Sequence, residues 1–197
     1  MRNFAEALTD QLVQLQIIRE EDRELYSYGF RQGIVLVVNL LVIVAIGLLL
    51  DVLWQSLVFI AAYTSLRTVA GGYHARTQRR CFIFSALLIV TVLGAMKWIP
   101  VSLLACAIII SVSLAAIIVL APVGDENKPL NETEVRVYRK RSRFISTALA
   151  LVSALFLVLD NVAVASCIAI SMLSMTLMLI LGKLKNILNK ARSTSVN

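Results

Sequence analysis

Apolar residues in this chain recur first at helical spacing and then in unbroken blocks. Across residues 4–25, Phe4, Leu8, Leu12, Leu15 and Ile18 fall three and four apart. Glu6, Asp10 and Gln14 lie between them, and Glu20, Glu21 and Asp22 follow. That spacing predicts an amphipathic helix, lying in a membrane interface or packed on the protein's own loops. Six apolar runs come next, at approximately 33–50, 52–66, 82–96, 100–121, 144–159 and 162–182. A run of about 18 residues rises roughly 27 Å as a helix, enough to cross a hydrocarbon core. The second, third and fifth runs are shorter, so they must borrow flanking residues or sit where the bilayer thins.

Composition agrees with lipid as the solvent. Of the 197 residues, 59% are hydrophobic, and the mean hydropathy is +0.83, more than a soluble domain of this length can cover with polar surface. The net charge of +7 is explained by topology rather than by nucleic acid, because no aromatic-interleaved basic groove accompanies it. Under a six-span count, eighteen of the nineteen basic residues fall in the N-terminal segment, two longer loops and the C-terminal tail. The three opposite loops are very short and contain Asp51, Lys97 and Asp160. An even number of spans with that bias puts both termini in the cytoplasm of a cell membrane.

The resulting expectation is an all-α polytopic membrane protein of about six transmembrane helices, with an N-terminal amphipathic helix and two cytoplasmic functional loops. The chain reads as one membrane-integral domain over 1–197. Within it lie an amphipathic segment (1–32), a first loop (67–81), a second loop (121–143) and a basic tail (183–197). Three cysteines with no framework spacing predict no structural disulfide. Cys106 and Cys167 fall within apolar runs and read as small core residues.

Cys81 differs, because it closes the first loop, RTVAGGYHARTQRRC, seven residues after His74, the chain's one histidine. A thiolate is the competent nucleophile, and an imidazole can take its proton and later hand it to a leaving amine. Such a pair is a minimal acyl-transfer site. On one continuous helix the two residues would be separated by about 10 Å along the axis, whereas a nucleophile–base contact needs roughly 3 Å. The segment must therefore bend. Gly71 and Gly72 supply the freedom, and their N–H groups are candidates for an oxyanion hole. The competing assignment makes Cys81 a small residue at the start of a span and His74 an interfacial side chain. No metal or cofactor is implied, since metal sites need three or four convergent ligands and no phosphate-binding glycine loop is present.

Arg67, the run Ala70-Gly71-Gly72-Tyr73-His74-Ala75 and Cys81 together resemble the signature of the accessory gene regulator B (AgrB) endopeptidases, bacterial membrane proteins that process quorum-sensing propeptides. Ala121-Pro122-Val123 and Asn127-Lys128-Pro129-Leu130 resemble that family's second characteristic segment, so the likeness extends over essentially the whole chain. The resemblance implies a cysteine endopeptidase with His74 and Cys81 catalytic. Its substrate would be a propeptide with an amphipathic leader, a central signal segment and an acidic tail. The implied course removes the tail, leaves a thioester on Cys81 and closes a thiolactone or lactone ring. Arg67, Gly71, Gly72, Lys128 and Pro129 are then expected to bind substrate or shape the site, with Arg67 the first candidate for attracting the tail. The resemblance also implies a homodimer. The alternative is a non-enzymatic peptide transporter or scaffold, in which His74 and Cys81 would be replaceable.

Overall fold

In lipid every backbone polar group must be satisfied within its own segment, so long apolar runs fold as helices. A computed structural model describes residues 2–73, 78–124 and 131–194, and among them the regular structure is helical throughout. The order is α1 (Arg2–Gln14), a 3-10 turn (Glu20–Asp22), α2 (Arg23–Leu49), α3 (Leu53–Ala70), α4 (Gln78–Trp98), α5 (Leu103–Leu120), α6 (Glu132–Val158) and α7 (Val162–Thr194).

Three of these helices are long and apolar enough to cross a bilayer: α5, α6 and the 162–191 portion of α7. The apolar stretches of α2 and α4 are shorter, at Val37–Leu49 and Phe82–Trp98. The protein is therefore an all-helical membrane protein with three helices of spanning length among the described residues.

The N-terminal helix is shorter than its sequence pattern implies. It ends at Gln14, and Gln16 turns into the left-handed region (φ 55°), so Leu15 and Ile18 lie beyond it. The Ile17 N–H reaches back to Leu12 O (3.0 Å) and the Gln16 N–H to Val13 O (2.9 Å), which closes the helix as a Schellman motif. What α1 turns toward the protein is Ala5 and Thr9, both fully buried, while Phe4 stays exposed. An Arg23–Asp10 ion pair of 2.7 Å ties α1 to α2.

The same closure recurs at two other turns. At the end of α2, Asp51 (φ 61°) donates to Leu48 O and Val52 to Gly47 O; at the end of α6, Asp160 (φ 58°) donates to Leu157 O and Asn161 to Phe156 O. Aspartate tolerates the left-handed region because its short side chain can bond locally. Both turns are thereby kept to a few residues.

Helix α7 is the axis of the bundle. Of its most apolar window 61% is buried, against 22% in α5 and in α6, and it packs against α3, α5 and α6. Small residues permit the close approach: Ala165 and Ala169 of α7 are fully buried, and Ser153 of α6 donates to Ala165 O at 3.0 Å. Helices α2 and α4 pack on each other around Ile43, Ile89 and Leu93, with α2 also against α3 and α4 also against α3 and α7.

The left-handed turns yield a test. Asp160→Gly should hold or raise thermal stability in detergent micelles, because glycine enters φ 58° freely. Asp160→Val should lower it, by about 1–2 kcal/mol, because a β-branched residue clashes there.

Candidate functional site

Helix α3 continues through Arg67 to Ala70, so the first loop is shorter than its sequence suggests. The helix stops because Gly71 (φ 72°) and Gly72 (φ 108°) take backbone angles closed to other residues. Space demands glycine as well. A Cβ on Gly71 would collide with the Val123 carbonyl, and one on Gly72 would lie 2.6 Å from Arg67 Nη1.

These glycines meet the second loop. Gly71 and Val123 form an isolated parallel bridge, in which the Gly72 N–H donates to Val123 O (3.0 Å) and the Val123 N–H to Ala70 O (3.0 Å). The two segments, about fifty residues apart in sequence, are thus joined backbone to backbone.

Both then dock on one stripe of α7. The Tyr73 N–H donates to Met178 O at 2.9 Å. One turn on, Gly182 leaves room for the loop, since a Cβ there would lie 2.8 Å from Gly72 C and Tyr73 N. One turn further, Asn186 Nδ2 donates to Gly124 O at 2.8 Å. Residues 178, 182 and 186 share a helix face, so a single line along α7 sets the height of both loops.

Arg67 adds a fourth constraint. Its guanidinium donates to the carbonyls of Gly71 and Tyr73, bracketing the turn from the inside. A planar fork of donors suits two divergent carbonyls in a way an ammonium does not. The Tyr73 ring packs against Phe84 of α4 (centroids 5.2 Å apart), and Lys185 Nζ lies 5.7 Å from the same ring. The loop is therefore fastened to α3, α4, α7 and the second loop together.

These bonds correct one expectation. The N–H groups of Gly71, Gly72 and Tyr73 do not stand free for an oxyanion hole. They are spent on Arg67 O (3.3 Å), Val123 O and Met178 O. His74, Lys128 and Pro129 lie outside the described residues. Cys81 is the fourth residue of α4, which begins at Gln78, and its backbone alone is described. An N-terminal helical turn favours a thiolate through its unpaired N–H groups and the positive end of the helix dipole.

From Arg136 to Arg143 the basic residues of the second segment are helical rather than in a loop. Asn131 caps α6, accepting from Glu134 N (2.8 Å) while Glu134 Oε2 accepts from Asn131 N (3.0 Å). Arg136, Arg139, Lys140, Arg141 and Arg143 follow on exposed positions of α6.

Met178, Gly182 and Asn186 were not singled out by sequence reasoning, and Val123 entered only as part of the second motif segment. The only available signal was Gly182, an isolated glycine in a helical pattern, which can mark close backbone approach. Gly182→Leu should lift residues 71–73 off α7. Hydrogen exchange at the Tyr73 amide should then rise by roughly tenfold or more, while amides in the middle of α5 keep their protection.

The profile of the family described as Accessory gene regulator B matches residues 2–179. A protein of Halalkalibacterium halodurans whose name describes it as AgrB-like is 28% identical over 100 residues, covering 51% of this chain and 49% of the relative. The chain thus spans about half the length of that curated relative. No solved structure matches it. With the family profile extending over nearly all of its length, the chain belongs to the accessory gene regulator B family.

Proposed function

We propose that this membrane protein is a cysteine endopeptidase that removes the C-terminal tail of a quorum-sensing propeptide and promotes ring closure of the remaining signal segment. The observation that carries the reading is the convergence of the two motif segments. Gly71–Tyr73, immediately before His74 in sequence, and Val123–Gly124 are bonded to each other and to α7, and Tyr73 packs against the α4 helix that bears Cys81. Backbone fixed up to Tyr73, the residue before His74, suits an acyl-transfer site, because the rate depends on holding reacting groups in register.

In the proposed mechanism His74 takes the proton of Cys81, and Sγ attacks the carbonyl carbon of the scissile peptide bond. The C–N bond breaks, and imidazolium gives its proton to the departing amine of the tail. The signal segment remains as a thioester on Cys81. A cysteine thiol or serine hydroxyl within that segment then attacks the same carbonyl, the bond between the acyl carbon and Cys81 Sγ breaks, and the proton of the attacking group passes through His74 to Sγ. A tethered nucleophile outcompetes water because its effective molarity is high. Exchanging an amide for a thioester is uphill, so removal of the tail or the ring draws the sequence forward.

Arg67 acts here as a positioning residue for the turn that leads to His74. The exposed cations of α6, Arg136 to Arg143, are better placed to attract an acidic tail from solution. Six crossings with both termini in the cytoplasm complete the proposed topology, with α2, α3 and α4 spanning through their shorter apolar stretches. An amphipathic leader would bring the propeptide to the same membrane surface. A homodimer is proposed on family grounds.

Co-expression with the candidate propeptide, read by mass spectrometry, tests the chemistry. Cys81→Ala and His74→Ala should each abolish tail removal, a loss of roughly a thousandfold or more. Equal processing in wild type and both variants would overturn the reading in favour of a transporter or scaffold. Arg67→Lys should lower kcat by about tenfold or more with little change in KM, because it loses the fork that holds the turn. A rise in KM alone would instead make Arg67 a tail-binding residue.

A further inference from the structure

Beneath the fastened turn lies a cavity of about 490 Å³ between α2, α3 and α4, with Met178 of α7 lining it at the end nearest the turn. That volume is in the range of small-molecule sites, large enough for a short run of side chains. Its walls are mostly apolar, and two features distinguish it from a simple gap between helices.

The first is continuity with the candidate site. Arg67 and Tyr73 form one end of the cavity, and Phe84 and Ser85 form part of its wall. Those two residues stand three and four positions after Cys81 on α4, about one helical turn. On α3 the lining runs from Arg67 down to Phe59, about 12 Å along the axis. The helix that bears Cys81 therefore becomes the side of an apolar shaft.

The second is Asn39 of α2, which lines the cavity with its Oδ1 buried and without a hydrogen-bond partner among the described residues. A buried amide left unpaired costs free energy, and it is a different matter when a ligand supplies the partner. Hydrocarbon supplies none. A peptide backbone or an amide side chain does, whichever way round the Asn39 amide is assigned.

We propose that this cavity is the subsite for apolar side chains on the acyl side of the scissile bond, with Asn39 bonding the peptide backbone as it enters. The proposal rests on the endopeptidase reading and adds a specificity determinant to it. The two sides of the bond then go to opposite environments. The acyl side descends between α2, α3 and α4, while a charged tail stays at the surface beside the exposed cations of α6. Substrates with a small or charged residue just before the cleaved bond would leave the shaft empty or desolvate a charge, and both weaken binding.

The test uses Cys81→Ala protein in phosphatidylcholine nanodiscs, so that no chemistry is needed for a signal. The probe is the peptide acetyl-Gly-Phe-photoleucine-Gly-Asp-Glu-amide, photolysed and mapped by mass spectrometry. A second probe is a phosphatidylcholine carrying a diazirine on its acyl chain. The peptide should label α4 near Phe84 and Ser85 and α3 near Thr64, and replacing its Phe-photoleucine pair with Ser-photoalanine should cut the labelling by roughly tenfold. Asn39→Leu should lower peptide labelling by roughly fivefold, the factor for one hydrogen bond left unmade, while lipid labelling holds or rises. Peptide labelling that ignores Asn39→Leu, or that lands elsewhere, overturns the proposal. So does lipid labelling of these walls that the peptide fails to displace, which would make the cavity an acyl-chain site. Because the labelled protein has no nucleophile, loss of processing in wild type would count against the endopeptidase reading and leave this labelling pattern untouched.

Discussion

The carbonyl of Met178 accepts the Tyr73 N–H, and the absence of a side chain at Gly182 is what lets that bond form. Without it the turn after α3 would lose its direct backbone bond to α7. The Gly71–Val123 bridge would then reach α7 by hydrogen bond only through Asn186 and Gly124. With it, one helix face sets both loops, and Asn186 repeats the arrangement one turn later for Gly124. A helix makes a dependable ruler because its own backbone bonds are already formed, so an extra acceptor bond costs it little rearrangement.

That dependence explains why α7 lies where it does. A helix that fixes a site must itself be held, and α7 is the most buried of the long helices, packed by α3, α5 and α6. Its packing relies on close approach rather than large side chains. Ala165 and Ala169 are fully buried, and Ser171 reaches Phe59 O across to α3 at 3.4 Å. In lipid the gain from burying more hydrocarbon is small, so van der Waals contact at short range and interhelical hydrogen bonds take over the role of a hydrophobic core.

Much of this was legible in the sequence where the signal was local. The uniformly apolar run at 100–121 folds as α5 over Leu103–Leu120, since nothing in it competes with a helix. The adjacent glycines before His74 pointed to a turn, and both do take positive φ. Three other features escaped. The amphipathic repeat of residues 4–18 continues past Gln14, yet Gln16 breaks the helix through backbone bonds that periodicity does not register. Arg67 read as a charge seeking a charge, whereas its partners are carbonyls of the next turn, which every residue possesses. The Gly72 N–H read as vacant because its acceptor, Val123 O, lies far along the chain. Long-range backbone pairing leaves no residue-type signature, so a single sequence carries almost no trace of it.

The two Schellman turns at Asp51 and Asp160 have a consequence for anything that would bind this protein. They close α2 and α6 with the helices' own carbonyls, and each link to the next helix is a few residues long. The backbone of those two turns therefore offers few unmet donors or acceptors and little chain to rearrange around a visitor. The opposite end holds the longer connections, the exposed cations of α6 and the Arg67–Tyr73 end of the cavity. A ligand that recognises backbone or needs a loop to fold around it would find more to grip at that end than at the short turns.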